Sequence, residues 1–342
     1  MMRLDNRLWM LAGMFWLGLG CSLLAVDDTV YVRDKKIDKV NDVRGDITAD
    51  TVAGIKIKTG TKVQDIPTSD IVRITYGDLP KESKLLYSSI MTAEDKKDET
   101  AAQKDYEGLL PKLSAAPKSK RQVEFRIAVL KAKLAQKPEE MTAATEALTS
   151  YVAKNPDGWQ YSIAARQLAR IQISAKNYED AATVLEKLGK TPGLPKDVKN
   201  EVELTMIDVL ISSNKLPDAE TRIRDASVGL VAGDPFKERL DILSMTIDAK
   251  AKPEDKIAKL EQIINTTTDP SLKAIAYNAL GDCYMKANKS RDAMWSYMWV
   301  DMVYNQDRSE RLKALDRLSR YFEEKSDDER AKLYRDKIAE LR

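Results

Sequence analysis

The chain has 342 residues, of which 32% are charged and 43% hydrophobic, and 56 Lys and Arg against 54 Asp and Glu leave a net charge of +2. That near balance gives no general attraction to nucleic acid or to an acidic membrane surface. Histidine is absent, which removes the usual general base and the commonest metal ligand, and Cys21 and Cys283 are too few for a thiolate metal cluster or a disulfide framework.

The first 25 residues read as a targeting segment. Arg3 and Arg7 precede the uncharged apolar run 8–26, and Asp27 and Asp28 then open polar sequence. Cleavage after Ala25 would make the run a secretory signal. Two alternatives stay open: an uncleaved anchor, since the run approaches the ~20 residues that span a bilayer, and a lipidated Cys21 in "LGLGC", where Gly18 stands in place of the usual Leu. Each of the three takes the rest of the chain out of the cytoplasm, to a periplasmic or secreted location, with membrane contact only through this N-terminus. After cleavage Cys283 would be the sole cysteine, so stability must come from packing.

Residues 28–79 form a different unit. Short runs such as "DTVYVRD", "GIKIKTG" and "DIVRITYGD" alternate apolar and polar residues and are punctuated by Gly45, Gly54, Gly60, Pro67 and Gly77. Period-two alternation with turns every eight to twelve residues predicts about five short strands. So small an open sheet buries little surface, and closure into a barrel would remove its edges. The rhythm resembles a small Sm-type β-barrel, with Gly45-x-Ile47 on a long bent strand. The RNA-binding role of some such barrels does not carry over, because no base-stacking aromatic pair is present.

From residue 83 to 342 the apolar period becomes helical. The clearest unit runs from Ala274 to Asn305, with Tyr277, Leu280, Gly281 and Tyr284, then Ala293 and Tyr297, and Asn305 at a position where Pro is usual. The small Gly281 and Ala293 allow two antiparallel helices to approach, and Asn288 and Lys289 fall in the turn between them. Weaker copies place small or apolar anchors at Ala144, Ala181, Ala219, Ile257, Ala293 and Ala331, spaced 37, 38, 38, 36 and 38 residues apart. A degenerate first copy carries Ile90, Ala102, Tyr106 and Leu109. This pattern resembles the tetratricopeptide repeat.

The resemblance implies a mainly α protein: a right-handed α-solenoid of about six or seven helical hairpins, preceded by the small β-barrel. It also implies a non-enzymatic scaffold that binds a protein or peptide along a concave groove, without a cofactor. By helical phase Arg166, Arg170, Asp208, Asn278 and Asp282 face that groove. Arg166 and Arg170, four residues apart, would form a basic spot suited to a carboxylate, whereas Glu201 and Asp208 reverse the sign nearby.

The helix over 291–304 carries two apolar stripes. Ala293, Tyr297, Val300 and Tyr304 fit the inside of the repeat, and Trp295, Trp299 and Met302 point elsewhere. Either the next hairpin covers them, through Leu312 and Leu315, or they form a docking patch for a partner, for the β unit or for a second copy of the chain. The acidic stretches "SDDER" and "AEDKKDE" lack calcium-loop spacing, and "GDLPKES" and "GKTPG" fail the phosphate-loop pattern. An exported scaffold for cell-envelope assemblies is the main expectation. A carboxylate-based enzyme or enzyme accessory using the cleft between barrel and array, and a self-assembling structural protein, are the alternatives.

Overall fold

The computed structural model describes residues 27–34, 39–248 and 251–341. The targeting segment, with its cleavage, anchor and lipidation alternatives, lies outside the described residues.

Five antiparallel strands come first: β1 (Asp28–Asp34), β2 (Lys39–Thr51), β3 (Gly54–Thr59), β4 (Lys62–Pro67) and β5 (Ile71–Thr75). Their order across the sheet is β4-β3-β2-β1-β5. Strand β2 is shared. Its first half pairs with β1 up to Gly45, and its second half pairs with β3 from Asp46. A side chain at Gly45 would collide with the Lys58 carbonyl, so the glycine permits the close crossing where β2 changes partner. The long bent strand is thus as expected, but the closed barrel is not. Strands β4 and β5 lie at opposite ends of the sheet and remain unpaired with each other.

The reason is what covers the apolar face. Val30, Ile55, Ile57, Ile66, Ile71 and Ile74 are buried in one continuous core with Phe125, Tyr151 and Trp159 from the helices that follow. The sheet buries its face against the array, so closure is not needed to remove that surface from water. On the β5 edge the Tyr87 hydroxyl donates to the Ile74 carbonyl at 3.2 Å, and Arg73 pairs with Asp95 at 2.9 Å.

Among the described residues fourteen α-helices follow and pair into seven hairpins. They are α1 (Lys84–Asp95) with α2 (Glu99–Leu109), α3 (Pro117–Leu134) with α4 (Pro138–Lys154), and α5 (Tyr161–Ser174) with α6 (Tyr178–Gly189). Next come α7 (Lys196–Ser212) with α8 (Leu216–Ala226), and α9 (Pro235–Ile247) with α10 (Pro253–Thr266). Last are α11 (Pro270–Lys286) with α12 (Ser290–Met302), and α13 (Arg308–Glu324) with α14 (Asp328–Leu341). All six periodic anchors, Ala144, Ala181, Ala219, Ile257, Ala293 and Ala331, are buried. Each sits on the second helix of its hairpin; at five of the six a small alanine sets the interhelical distance, and Ile257 takes that place on α10.

The turns repeat as strictly as the anchors. Lys97, Lys176, Asn214, Asn288 and Ser326 have φ of 62°, 62°, 60°, 59° and 55°, each just past the first helix of its hairpin. In each, two backbone N–H groups close onto the helix end; Asn288 N donates to Met285 O at 3.1 Å and Lys289 N to Tyr284 O at 2.8 Å. This left-handed cap satisfies the last carbonyls and turns the chain back. The α3–α4 and α9–α10 hairpins instead start the second helix with Pro138 and Pro253.

Candidate functional site

Stacking places the first helices of successive hairpins along one face, where α5, α7, α9, α11 and α13 succeed each other. The groove residues read from sequence lie on these helices, but most already have partners within the chain. Arg166 is ion-paired with Glu201, and Arg170 reaches the same carboxylate at 3.5 Å. Arg170 remains the more open of the two.

The other three converge on α13. Asn278 is only 4% exposed; its Nδ2 donates to the Glu310 carbonyl at 3.0 Å and to the Glu310 carboxylate at 2.8 Å. It is therefore enclosed and not presented to a partner, which corrects its assignment to the groove surface. Asp208 on α7 pairs with Lys313 at 3.1 Å, across 105 residues of sequence. Lys313 also donates to Glu310 at 2.9 Å. Asp282 accepts from Arg317 through Nε at 2.5 Å and Nη2 at 2.6 Å, and from the Tyr297 hydroxyl at 2.8 Å. This fork of two parallel bonds is the strong arrangement for Arg and carboxylate. Glu310, Lys313 and Arg317 thus form an ion ladder on one face of α13. Their spacing of three and four residues makes that face legible in sequence; the partners on α7 and α11 are not.

The outer face of α12 is different. Its inner stripe is filled as expected, with Ala293, Tyr297 and Val300 in one core with Leu315, Leu318 and Phe322. Leu315 is therefore committed to that inner core and does not cover the second stripe. Trp295, Trp299 and Met302 are 49%, 46% and 65% exposed, and Val303 continues the patch. Trp299 stacks on Tyr277 with centroids 6.0 Å apart and planes 18° apart, and Tyr277 stacks on Tyr304 at 5.4 Å. The Lys273 ammonium lies 5.6 Å over the Tyr304 ring. Three stacked aromatic rings capped by a cation hold Trp299 in place, and Trp295 stands outside that stack. Sequence reasoning found the two tryptophans but not the role of Tyr277 and Tyr304 in fixing one of them.

The cleft between sheet and array, the alternative site, is occupied by a partly buried polar node. Asp50 is ion-paired with Arg121, and it accepts the Trp159 backbone N–H at 2.9 Å. The Tyr76 hydroxyl accepts from Arg121 at 3.2 Å and from the Trp159 indole N–H at 3.4 Å. Both oxygens of Asp50 are engaged, so this carboxylate holds the two parts of the chain together. Among the described residues no group of three or more Cys, Asp or Glu is placed to hold a metal ion, and no helix is long and apolar enough to cross a membrane.

No protein-family model matches the sequence, and no curated protein is significantly similar to it. Among solved structures the fold is similar to that of a tetratricopeptide repeat protein from Parabacteroides merdae, with a TM-score of 0.53 and 13% sequence identity, over 77% of this chain and 94% of that one. At that identity the similarity speaks for the fold: an array of tetratricopeptide-like helical hairpins.

Proposed function

We propose that the protein is a non-enzymatic, exported scaffold that binds a protein partner through its helical array, in the assembly or organisation of cell-envelope complexes. The observation that carries this reading is the ridge of Trp295, Trp299 and Met302 on a helix whose opposite face is fully packed. An aromatic side chain buries about 150–250 Å², so covering two half-exposed indoles is worth on the order of several kcal/mol at about 25 cal/mol per Å². Trp is enriched among residues that dominate binding energy. The engaged state of Asp50 in the cleft favours a binding role over a carboxylate enzyme. The envelope setting rests on the apolar run 8–26.

The test is affinity capture from envelope extract with the native chain and with the W295A/W299A variant, followed by mass spectrometry. Loss of the same captured protein from the variant, at unchanged helical content, supports the reading. Equal capture by both overturns it. A ridge that pairs with a second copy would appear instead as a concentration-dependent mass in sedimentation, abolished by the same variant.

A further inference from the structure

The stack is not uniformly packed. One core runs without a break from the sheet to Val209 on α7, and another from Ala274 on α11 into α14. Between them lie two smaller cores, one joining α9 and α10 to α11 and one at the junction of the fourth and fifth hairpins. The latter has the fewest buried residues, Ile207, Ala219, Ile223, Leu240 and Ile247, with Leu210, Ile211, Leu216, Leu230 and Phe236 among the partly buried residues packed against them. In a repeat array, stability is set by each interface between neighbours, so the interface with the least buried apolar surface opens first.

The connection across this junction, residues 227–234, is loosely held as well. No residue from 224 to 239 is buried, and Val228 and Val231 are 78% and 71% exposed. Gly229 and Gly233 adopt φ of 77° and 85°, with open space where a side chain would stand. The surface is indented here too. An open pocket of about 490 Å³ lies between Ile211 and Leu216 on one side and Ile247 and Met285 on the other, with Asp282 and Lys286 of α11 also in its wall. Small core, unburied connection and open pocket coincide at one place in the stack.

Only one ion pair described above ties α7, before this junction, to α13, well beyond it: Asp208 with Lys313, at 3.1 Å. Both side chains are more than a third exposed, so water can take over either charge when the pair parts. Lys313 also keeps Glu310 as a partner on its own helix, which makes release less costly. We propose that Asp208 and Lys313 form a releasable clasp across a hinge at residues 227–234. Hairpins one to four and five to seven then move as two bodies, and the concave face opens when the pair breaks. This device is independent of what the α12 ridge binds.

Small-angle X-ray scattering of the full chain tests it, with D208K placing a like charge opposite Lys313. The expected result is a shift to a larger radius of gyration and maximum dimension in D208K, with circular dichroism unchanged. The native chain should shift in the same direction when salt is raised. Should D208K lose helical signal, Asp208→Ala removes the acceptor without repulsion and is read in the same way. Hydrogen exchange locates the motion: amides of α9 should exchange faster than those of α11. Scattering curves of the variant that superimpose on the native curve, or α9 protected as strongly as α11, overturn the proposal.

Discussion

Gly281 on α11 faces the ring of Tyr297 on α12 so closely that a methyl group at Gly281 would fall inside contact distance of three ring atoms. The ring cannot swing away freely, because its hydroxyl is bonded to Asp282 at 2.8 Å and Arg317 lies 5.7 Å over its face. Gly281→Ala is therefore expected to destabilise the array by about 1–3 kcal/mol, the usual cost of overpacking, despite the better helix propensity of Ala. Urea unfolding of the variant against the native chain measures this. A stabilised variant would mean that the two helices separate at no cost.

The left-handed turn residues offer the opposite effect. Lys176 and Ser326 adopt φ of 62° and 55°, a conformation that costs an L-residue roughly 1–2 kcal/mol and glycine little. Lys176→Gly and Ser326→Gly should each raise stability by several tenths of a kcal/mol to about 1 kcal/mol, the gain being reduced by the greater freedom of glycine in the unfolded chain. A thermal melt reads the change.

Asp307 caps α13 and supplies a pH dependence. Its carboxylate accepts from Ser309 N at 2.9 Å, Ser309 Oγ at 2.6 Å and Glu310 N at 3.3 Å. Burial raises its pKa, but these bonds outweigh burial and hold it below the ordinary carboxylate range. The folded chain thus binds this proton more weakly than the unfolded chain. Its contribution is present above the unfolded pKa of about 4 and is lost as pH falls through the folded value. Asp307→Ala should cost about 0.5–2 kcal/mol at neutral pH and little at pH values below the folded pKa. Denaturant melts at the two pH values compare them.

At the junction of sheet and array, Arg121→Ala would leave Asp50 without its cation while Trp159 N–H still donates to it. The pair is partly reached by solvent, so the loss should be smaller than the about 3–5 kcal/mol seen when a fully buried pair is broken. The effect should be local. Limited proteolysis is expected to cut within residues 39–75 sooner in the variant than in the native chain, with the helices beyond α5 equally resistant in both.

Much of the array is legible in sequence because its rules are local. The 36- to 38-residue anchor spacing, the Gly281–Ala293 approach and the turn at Asn288 follow from residue size and from backbone geometry within one hairpin. The sheet was legible as strands, including the bend near Gly45, but not as an open sheet. Alternation tells which face of a strand is apolar, and it does not tell that Phe125, Tyr151 and Trp159 cover it. The same limit applies to the groove. Helical phase puts Asp208, Asn278 and Asp282 on the first helices, whereas their partners Lys313, Glu310 and Arg317 lie 105, 32 and 35 residues away. The exposed Trp295 stripe was the converse case, a local pattern whose lack of cover only the packing of Leu315 decides.

Trp299 contributes to the fold through its stack with Tyr277 and Tyr304, so its removal should cost about 0.5–1.5 kcal/mol beyond lost burial, whereas Trp295 and Met302 can be altered with less effect on stability. Site-specific photocrosslinking from Met302 is therefore the most direct test of the ridge as the partner surface. A photoreactive side chain at Met302, exposed to envelope extract, should trap a discrete protein adduct. The same group at Lys259, exposed on α10, should not. Adducts from position 259 and none from position 302 would contradict the ridge as the binding surface.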